Sequence, residues 1–401
     1  MRVRDISRDS YELGDLAPLL LKWAVGAAVL GVLGAAALII LGHESIGRFL
    51  QSYLVSFTFF LSLSLGALFF VLLHHVVRAG WSVVVRRLAE GMASLFPLLA
   101  LLVVPILLGM HDLYSWSRPG AAAHDAVLAG KASYLNPTFF IIRLAVYFAA
   151  WWWLGRYFFK KSVEQDQTGD PKTTVTLTRR AAPAMVLYAF AVNFCAFDLL
   201  MSTDPHWYST IFGVYLFSSS VVGFFAVLPH VTHWLQHHKQ LLHSVTIEHF
   251  HDMGKLLFAF IVFWAYIAFS QYMLIWYGNL PEETEWYLRR QTHGWTWVSL
   301  LIVFGHFLIP FVVLIFRGAK RNVHVLLIAS AWVALMHWFD IYWLIVPNLS
   351  PSKVSLGLMD LFCTLAVGGV YVAAWVLKMR RYPLVPINDP RLAESMAFEN
   401  A

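Results

Sequence analysis

The stretch SYLVSFTFFLSLSLGALFFVLLHHVV (52–77) contains no Asp, Glu, Lys or Arg, and wound as a helix it is long enough to cross the hydrocarbon core of a bilayer. Runs of this kind recur along the chain. Reading outward from this one, the sequence predicts spans near 17–41, 52–77, 89–110, 137–159, 180–201, 207–230, 254–278, 293–316, 322–346 and 355–378. Barrel strands would be shorter and alternating, and lipid offers no partner to open backbone groups. The expectation is therefore an all-α polytopic membrane protein of about ten transmembrane helices.

Composition agrees with the pattern. Of 401 residues, 59% are hydrophobic and 13% charged, against about 25% charged in soluble domains. Mean hydropathy is +0.64. Many of the 17 Trp fall at the ends of runs, as interfacial belts require. The net charge of +6 suggests nucleic acid at first sight, but the basic residues fall in alternate connections. One set of connections carries Arg48, Arg118, Lys131, Arg289, Arg290 and Lys353, and Arg143 lies within the fourth span. Every other Lys and Arg, including Arg2, Arg4 and Arg8, belongs to the alternate set with both chain ends. The positive-inside rule then places both ends on the cytoplasmic side, and the charge reads as topology, with no nucleic-acid partner expected. The first 16 residues are polar and no A-x-A-type site follows the first span, so no cleaved signal peptide is expected. Cys195 and Cys363 lie in apolar segments. They are too few for a Cys-ligated iron–sulfur cluster, which takes about four thiolates, and suggest no disulfide framework.

An internal repeat divides the chain. The fifth span ends FDLLMSTDP (197–205) and the ninth FDIYWLIVP (339–347), each with Phe-Asp, six residues and Pro. The second ends LLH (72–74) and the sixth LPH (228–230). Two four-helix bundles, spans 2–5 and 6–9, account for both matches as a parallel repeat. The expected organisation is a cytoplasmic segment 1–16, a flanking helix and loop 17–51, bundles 52–206 and 207–354, and a last flanking helix and tail 355–401.

Ionisable groups inside spans cost roughly 2.5–3.5 kcal/mol to insert, so each needs a reason. Asp198 and Asp340 stand at equivalent places in the repeat. Each is a candidate proton carrier or a satisfied structural carboxylate. His337, three residues before Asp340, shares its helical face and favours a relay. Arg143 is a candidate partner for such a carboxylate. In DPHWY (204–208), Asp204 reads as an N-cap, Pro205 as the start of the next helix and Trp207 as an interfacial anchor. His206 reads as a proton exit or part of a quinol headgroup site. The cytoplasmic side gathers His74, Glu90, His230, His233, His249, His251, Asp252 and Lys255. Histidine titrates near neutrality, so the cluster reads as ordinary solvated or interfacial surface, as proton entry or, although no Cys accompanies it, as a metal site. Its spacing fits no zinc pattern. His306 and His337 form one conceivable bis-His haem pair, which the helix directions set at different depths. The chain has no Gly-rich phosphate loop, HExxH or nucleophile elbow.

Two longer stretches resemble a known family. FDLLMSTDPHWYSTIFGVYLFSSS (197–220) and HDMGKLLFAFIVFWAYIAFSQYMLIWYGNLPEETEWY (251–287) resemble the ActF-type subunits of bacterial alternative complex III, within the NrfD/PsrC-like membrane family. The likeness extends over roughly residues 15–380. It implies a ten-helix, two-bundle subunit without a cofactor of its own, in a complex that oxidises quinol and reduces cytochrome c or an oxidase. Haem c and iron–sulfur clusters would belong to partner subunits: a multi-haem cytochrome c, an iron–sulfur protein, an ActC-like quinol-binding paralogue and small membrane subunits, all among lipids. The matched motifs put Asp198, Asp204, His206 and the 251–255 segment in view, whereas Asp340 and Arg143 enter on the repeat and depth arguments. A quinol-oxidising role for this chain itself, or a scaffold docked through PEETEW (281–286) and the 111–136 loop, are the rival expectations.

Overall fold

Ten helices long and apolar enough to cross a membrane run through the computed structural model, which describes residues 9–400. Arg2, Arg4 and Arg8, with the rest of 1–8, lie outside the described residues. The helices are α1 (Leu16–Ile40), α2 (Ile46–Val76), α3 (Val83–Leu108), α4 (Pro137–Thr168), α5 (Pro171–Thr203), α6 (Phe212–His237), α7 (Ile247–Gly278), α8 (Trp295–Leu314), α9 (Val323–Leu349) and α10 (Leu358–Met379). Both described chain ends lie on one side, here the terminal face. The α1–α2, α3–α4, α5–α6, α7–α8 and α9–α10 connections lie on the opposite face.

The two bundles expected from the repeat are present. In one, α2, α3, α4 and α5 pack in a ring, and α6, α7, α8 and α9 form the other. The bundles meet where α2 packs on α6, with α5 against α6 and α9 against α2 as equivalent contacts. α1 lies on α10, which packs on α2. As a result, α2 is enclosed: 89% of its most apolar window is buried, compared with 17% for α1. Gly66 permits the central contact, since a Cβ there would fall 2.3 Å from the Ser220 carbonyl oxygen of α6. At the opposite face, Arg48 ties α2 to α10 by pairing with Asp360, which also accepts from Ser52 at 2.9 Å.

Several helix ends differ from the sequence reading, because hydropathy marks where the bilayer ends and not where the helix does. α4 continues past 159 to Thr168, and α5 begins at Pro171 instead of 180. Charged residues sustain a helix in water. The break comes at Gly169, whose φ of 62° is left-handed, and Asp170 then caps α5 by accepting from the Lys172 amide. α7 starts at Ile247, seven residues before the expected 254, behind a Thr246–His249 capping box. PEETEW is not a loop: it opens a short helix, Pro281–Arg289, whose Trp286 is buried.

The tail after α10 runs along the terminal face. Leu384 donates its amide to Tyr11, Asn388 donates to the Asp166 carbonyl at 2.6 Å, and Asp389 pairs with Arg86 of α3.

Candidate functional site

The most developed polar cluster lies where the bundles meet. α9 presents His337 and Asp340 one turn apart, both fully buried. α6 brings two hydroxyls to Asp340: Tyr215 donates to Oδ1 at 2.6 Å and Ser219 to Oδ2 at 2.7 Å. Trp264 of α7 donates its indole N–H to Oδ2 at 3.2 Å. Among the described residues no Lys or Arg pairs with this carboxylate, so three neutral donors alone satisfy it.

His337 joins the same cluster through Ser219, whose Oγ lies 3.0 Å from Nδ1. Its Nε2 lies 2.8 Å from Ser62 Oγ of α2. A serine hydroxyl has one proton to give. When Ser219 donates to Asp340, His337 Nδ1 must carry the proton that Ser219 accepts; Ser62 also has the Phe59 carbonyl at 2.6 Å as an acceptor, and when it donates there His337 Nε2 is protonated as well. The relay expected between His337 and Asp340 is thus indirect, through a hydroxyl of another helix. Gly223 makes room for it, since a Cβ there would stand 2.4 Å from His337 Cδ2.

Asp198, the counterpart in the first bundle, has different company. Arg143 of α4 grips it with two bonds, Nε to Oδ2 at 2.8 Å and Nη2 to Oδ1 at 2.9 Å. Tyr147 adds a third donor at 2.8 Å. The guanidinium is held in turn by the Tyr134 carbonyl at 2.7 Å and by the Tyr134 ring, 3.7 Å from its centre. The repeat therefore places one carboxylate in a complete ion pair and the other in a cation-free network.

No protein-family model matches the chain, and no curated protein matches it.

The connection after α5 departs from its sequence reading. Asp204 is no N-cap, because α6 begins only at Phe212. It accepts instead from Arg289 at 2.7 Å. Pro205 does not start the helix, and Trp207 is no interfacial anchor but is buried, stacked on Trp286 at 4.5 Å. This stack clamps the connection to the Pro281–Arg289 helix. His206 is exposed and bonds Asp125 at 2.6 Å. That bond, with the amides of Leu128 and Val127, holds the Asp125 carboxyl below the usual carboxylate range. Beside it, a cleft of about 340 Å³ is lined by Lys131, Tyr134, Phe197, Asp204, Trp207 and Tyr208. Burial holds the Lys131 ammonium below the usual lysine range.

The terminal-face residues separate into three groups. His74 bonds the Phe70 carbonyl at 2.7 Å, and Glu90 accepts from Arg86 and Arg87 at 3.2 and 2.9 Å. His230 meets Ser330 of α9 at 3.0 Å, and His233 faces His324 with ring centres 6.4 Å apart. His249 caps α7 and reaches the Ser395 carbonyl at 3.0 Å; buried His251 lies beside Asp252, which pairs with Lys255 at 2.5 Å. Of these, the His230 group points to the buried cluster. His230, His233, His237 and His238 line an apolar cleft of about 650 Å³, together with Phe59, whose ring lies 5.3 Å from that of His337. Along α9, Ser330 and His337 are seven residues apart, roughly 10 Å of helix.

Haem does not fit His306 and His337. Both nitrogens of His337 are engaged by serines, and Trp264 packs tilted against His306 with centres 4.1 Å apart. Among the described residues no three of His, Cys, Asp and Glu gather as a metal group. Ser62, Ser219, Tyr215, Trp264 and Tyr147 escaped the sequence reading. The only hint was the SSS run at 218–220 inside an apolar span.

Proposed function

We propose that this chain is an integral membrane subunit that conducts protons within a quinol-oxidising complex of the alternative complex III type, without a redox cofactor of its own. The observation that carries the reading is the hydrogen-bonded series Ser62–His337–Ser219–Asp340, which joins the two bundles and ends on a carboxylate without a cation. With His337 protonated at both nitrogens, a proton leaves Nδ1 for Ser219 Oγ while the Ser219 proton passes to Asp340 Oδ2, so that an imidazolium and a carboxylate become a neutral imidazole and a carboxylic acid. Reversal of one hydroxyl and reprotonation of Nδ1 reset the series. The terminal face is the cytoplasmic one, and the His230–Ser330 pair supplies protons along the cleft that Phe59 shares. Quinol oxidation in a neighbouring ActC-like subunit biases the relay by altering charge or helix packing. A multi-haem cytochrome c and an iron–sulfur subunit dock on the opposite face, over the Pro281–Arg289 helix and the 111–136 segment.

A second reading, in which this chain binds and oxidises quinol itself, is favoured by one observation: the cleft with Asp204 and Tyr134 in its wall. Proton release per quinol, measured with the intact complex in sealed vesicles, separates the readings. Under the relay, Asp340→Asn keeps quinol oxidation and lowers transmembrane proton movement. Loss of quinol oxidation in an assembled Asp204→Asn complex supports the second reading. No change in either quantity for either variant leaves a scaffold.

A further inference from the structure

His306 of α8 stands beside the relay but takes no part in its bonds. It is fully buried, and neither ring nitrogen has a hydrogen-bond partner among the described residues. Its ring packs against Trp264, tilted by 39° with centres 4.1 Å apart, and the same indole donates to Asp340. Its centre lies 6.4 Å from that of His337. The backbone here is unusual as well. Residues Ile302–Leu308 form a π-helical stretch, whose Gly305 carbonyl accepts from the Trp332 indole at 2.8 Å. Such stretches give up regular helix bonding and concentrate where a side chain must be re-aimed.

Two unbonded nitrogens on one buried ring are costly, and they call for a small polar partner. Trp264 touches both His306 and Asp340 and so sets the two in one neighbourhood, where a bound water is the ordinary partner for such nitrogens. We propose that His306 is a second proton-carrying group, joined to Asp340 by a bound water. The proton balance is simple. The imidazolium of His306 gives a proton to the water, which passes one of its own to an Asp340 oxygen. An imidazolium and a carboxylate become a neutral imidazole and a carboxylic acid, with no net charge gained at the site. The π-helical stretch sets the direction of the ring, and α8 thereby becomes a working part of the second bundle.

The inference rests on the relay reading, and its test separates the two. His306→Gln keeps a polar side chain of similar reach that carries no proton, and His306→Phe keeps a ring packed against Trp264. Both are expected to lower proton release per quinol to the level of Asp340→Asn while quinol oxidation continues. Wild-type proton release in His306→Gln, with Asp340→Asn impaired, overturns the role of His306 and leaves the relay. Wild-type release in Asp340→Asn overturns both. If the His306 variants do not assemble, the wild-type complex decides. In water-edited nitrogen-15 solid-state spectra, the His306 ring is expected to receive polarisation from water as the exposed His206 does. A His306 ring that receives none overturns the proposal.

Discussion

The contrast between Asp198 and Asp340 is one of partners, and it predicts opposite outcomes for the same substitution. Asp198→Asn or Arg143→Gln breaks a buried two-bond ion pair and strands the other partner, at a cost of about 3–5 kcal/mol. The expected result is a lower unfolding midpoint in detergent and poor yield of assembled protein. Asp340→Asn removes no counter-ion, so a smaller loss is expected, and the change should appear in proton movement. A denaturation series on both variants checks the order. At the opposite face, His206→Ala removes the first cause of the lowered Asp125 pKa. The Asp125 titration in an NMR pH series should move up towards the usual carboxylate range. In the wild type this contact contributes stability above the unfolded carboxylate pKa and loses it as pH falls through the lower folded value. Asp198, Asp340, His337 and Arg143 were legible in the sequence because a charge or imidazole in an apolar run is conspicuous. Ser62 and Ser219 were not, since serine is ordinary in a membrane helix. Only packing of residues 275 apart in sequence brings Ser62 to His337.

At the scale of helices, two glycines set close approaches: Gly223 against the His337 ring of the proposed relay, and Gly66 where α2 meets α6. Gly223→Ala puts a Cβ against the His337 ring, and the ring cannot withdraw without losing Ser62 or Ser219. The expected cost is about 1–3 kcal/mol of overpacking, accompanied by loss of proton movement. Ala at Gly66 meets backbone instead of a side chain and should separate α2 from α6. Thermal unfolding read by tryptophan fluorescence ranks the two, with Gly66→Ala the more damaging. Helix number and pairing were readable from apolar runs and the Phe-Asp repeat. Helix ends were not. The stretch from Lys160 to Arg180 carries charges that lie beyond the apolar run, yet the helices persist there until Gly169 breaks them. The π-helical stretch in α8 left no trace in hydropathy either, since Ile302–Leu308 is as apolar as its neighbours.

Across the whole molecule, the tail ties the terminal face together. Asp389 neutralises Arg86, while Ser395 accepts the Val84 amide and offers its carbonyl to His249. Deletion of 383–401 should expose the buried Arg86, Arg87 and Glu90 group and lower the unfolding midpoint, with faster proteolysis in the connections of the terminal face. Limited digestion of vesicles whose terminal face is exposed measures this. The enclosure of α2 also bears on how the protein is made. α2 is made well before three of the helices that cover it, α6, α9 and α10. Until then Ser52, Ser56 and Ser62 lack their partners Asp360, Thr364 and His337 on α10 and α9. Maturation is therefore a late event, gated by the arrival of α10 and the Arg48–Asp360 pair. A chain halted after α8 is an orphan that the cell's membrane quality control should recognise and remove.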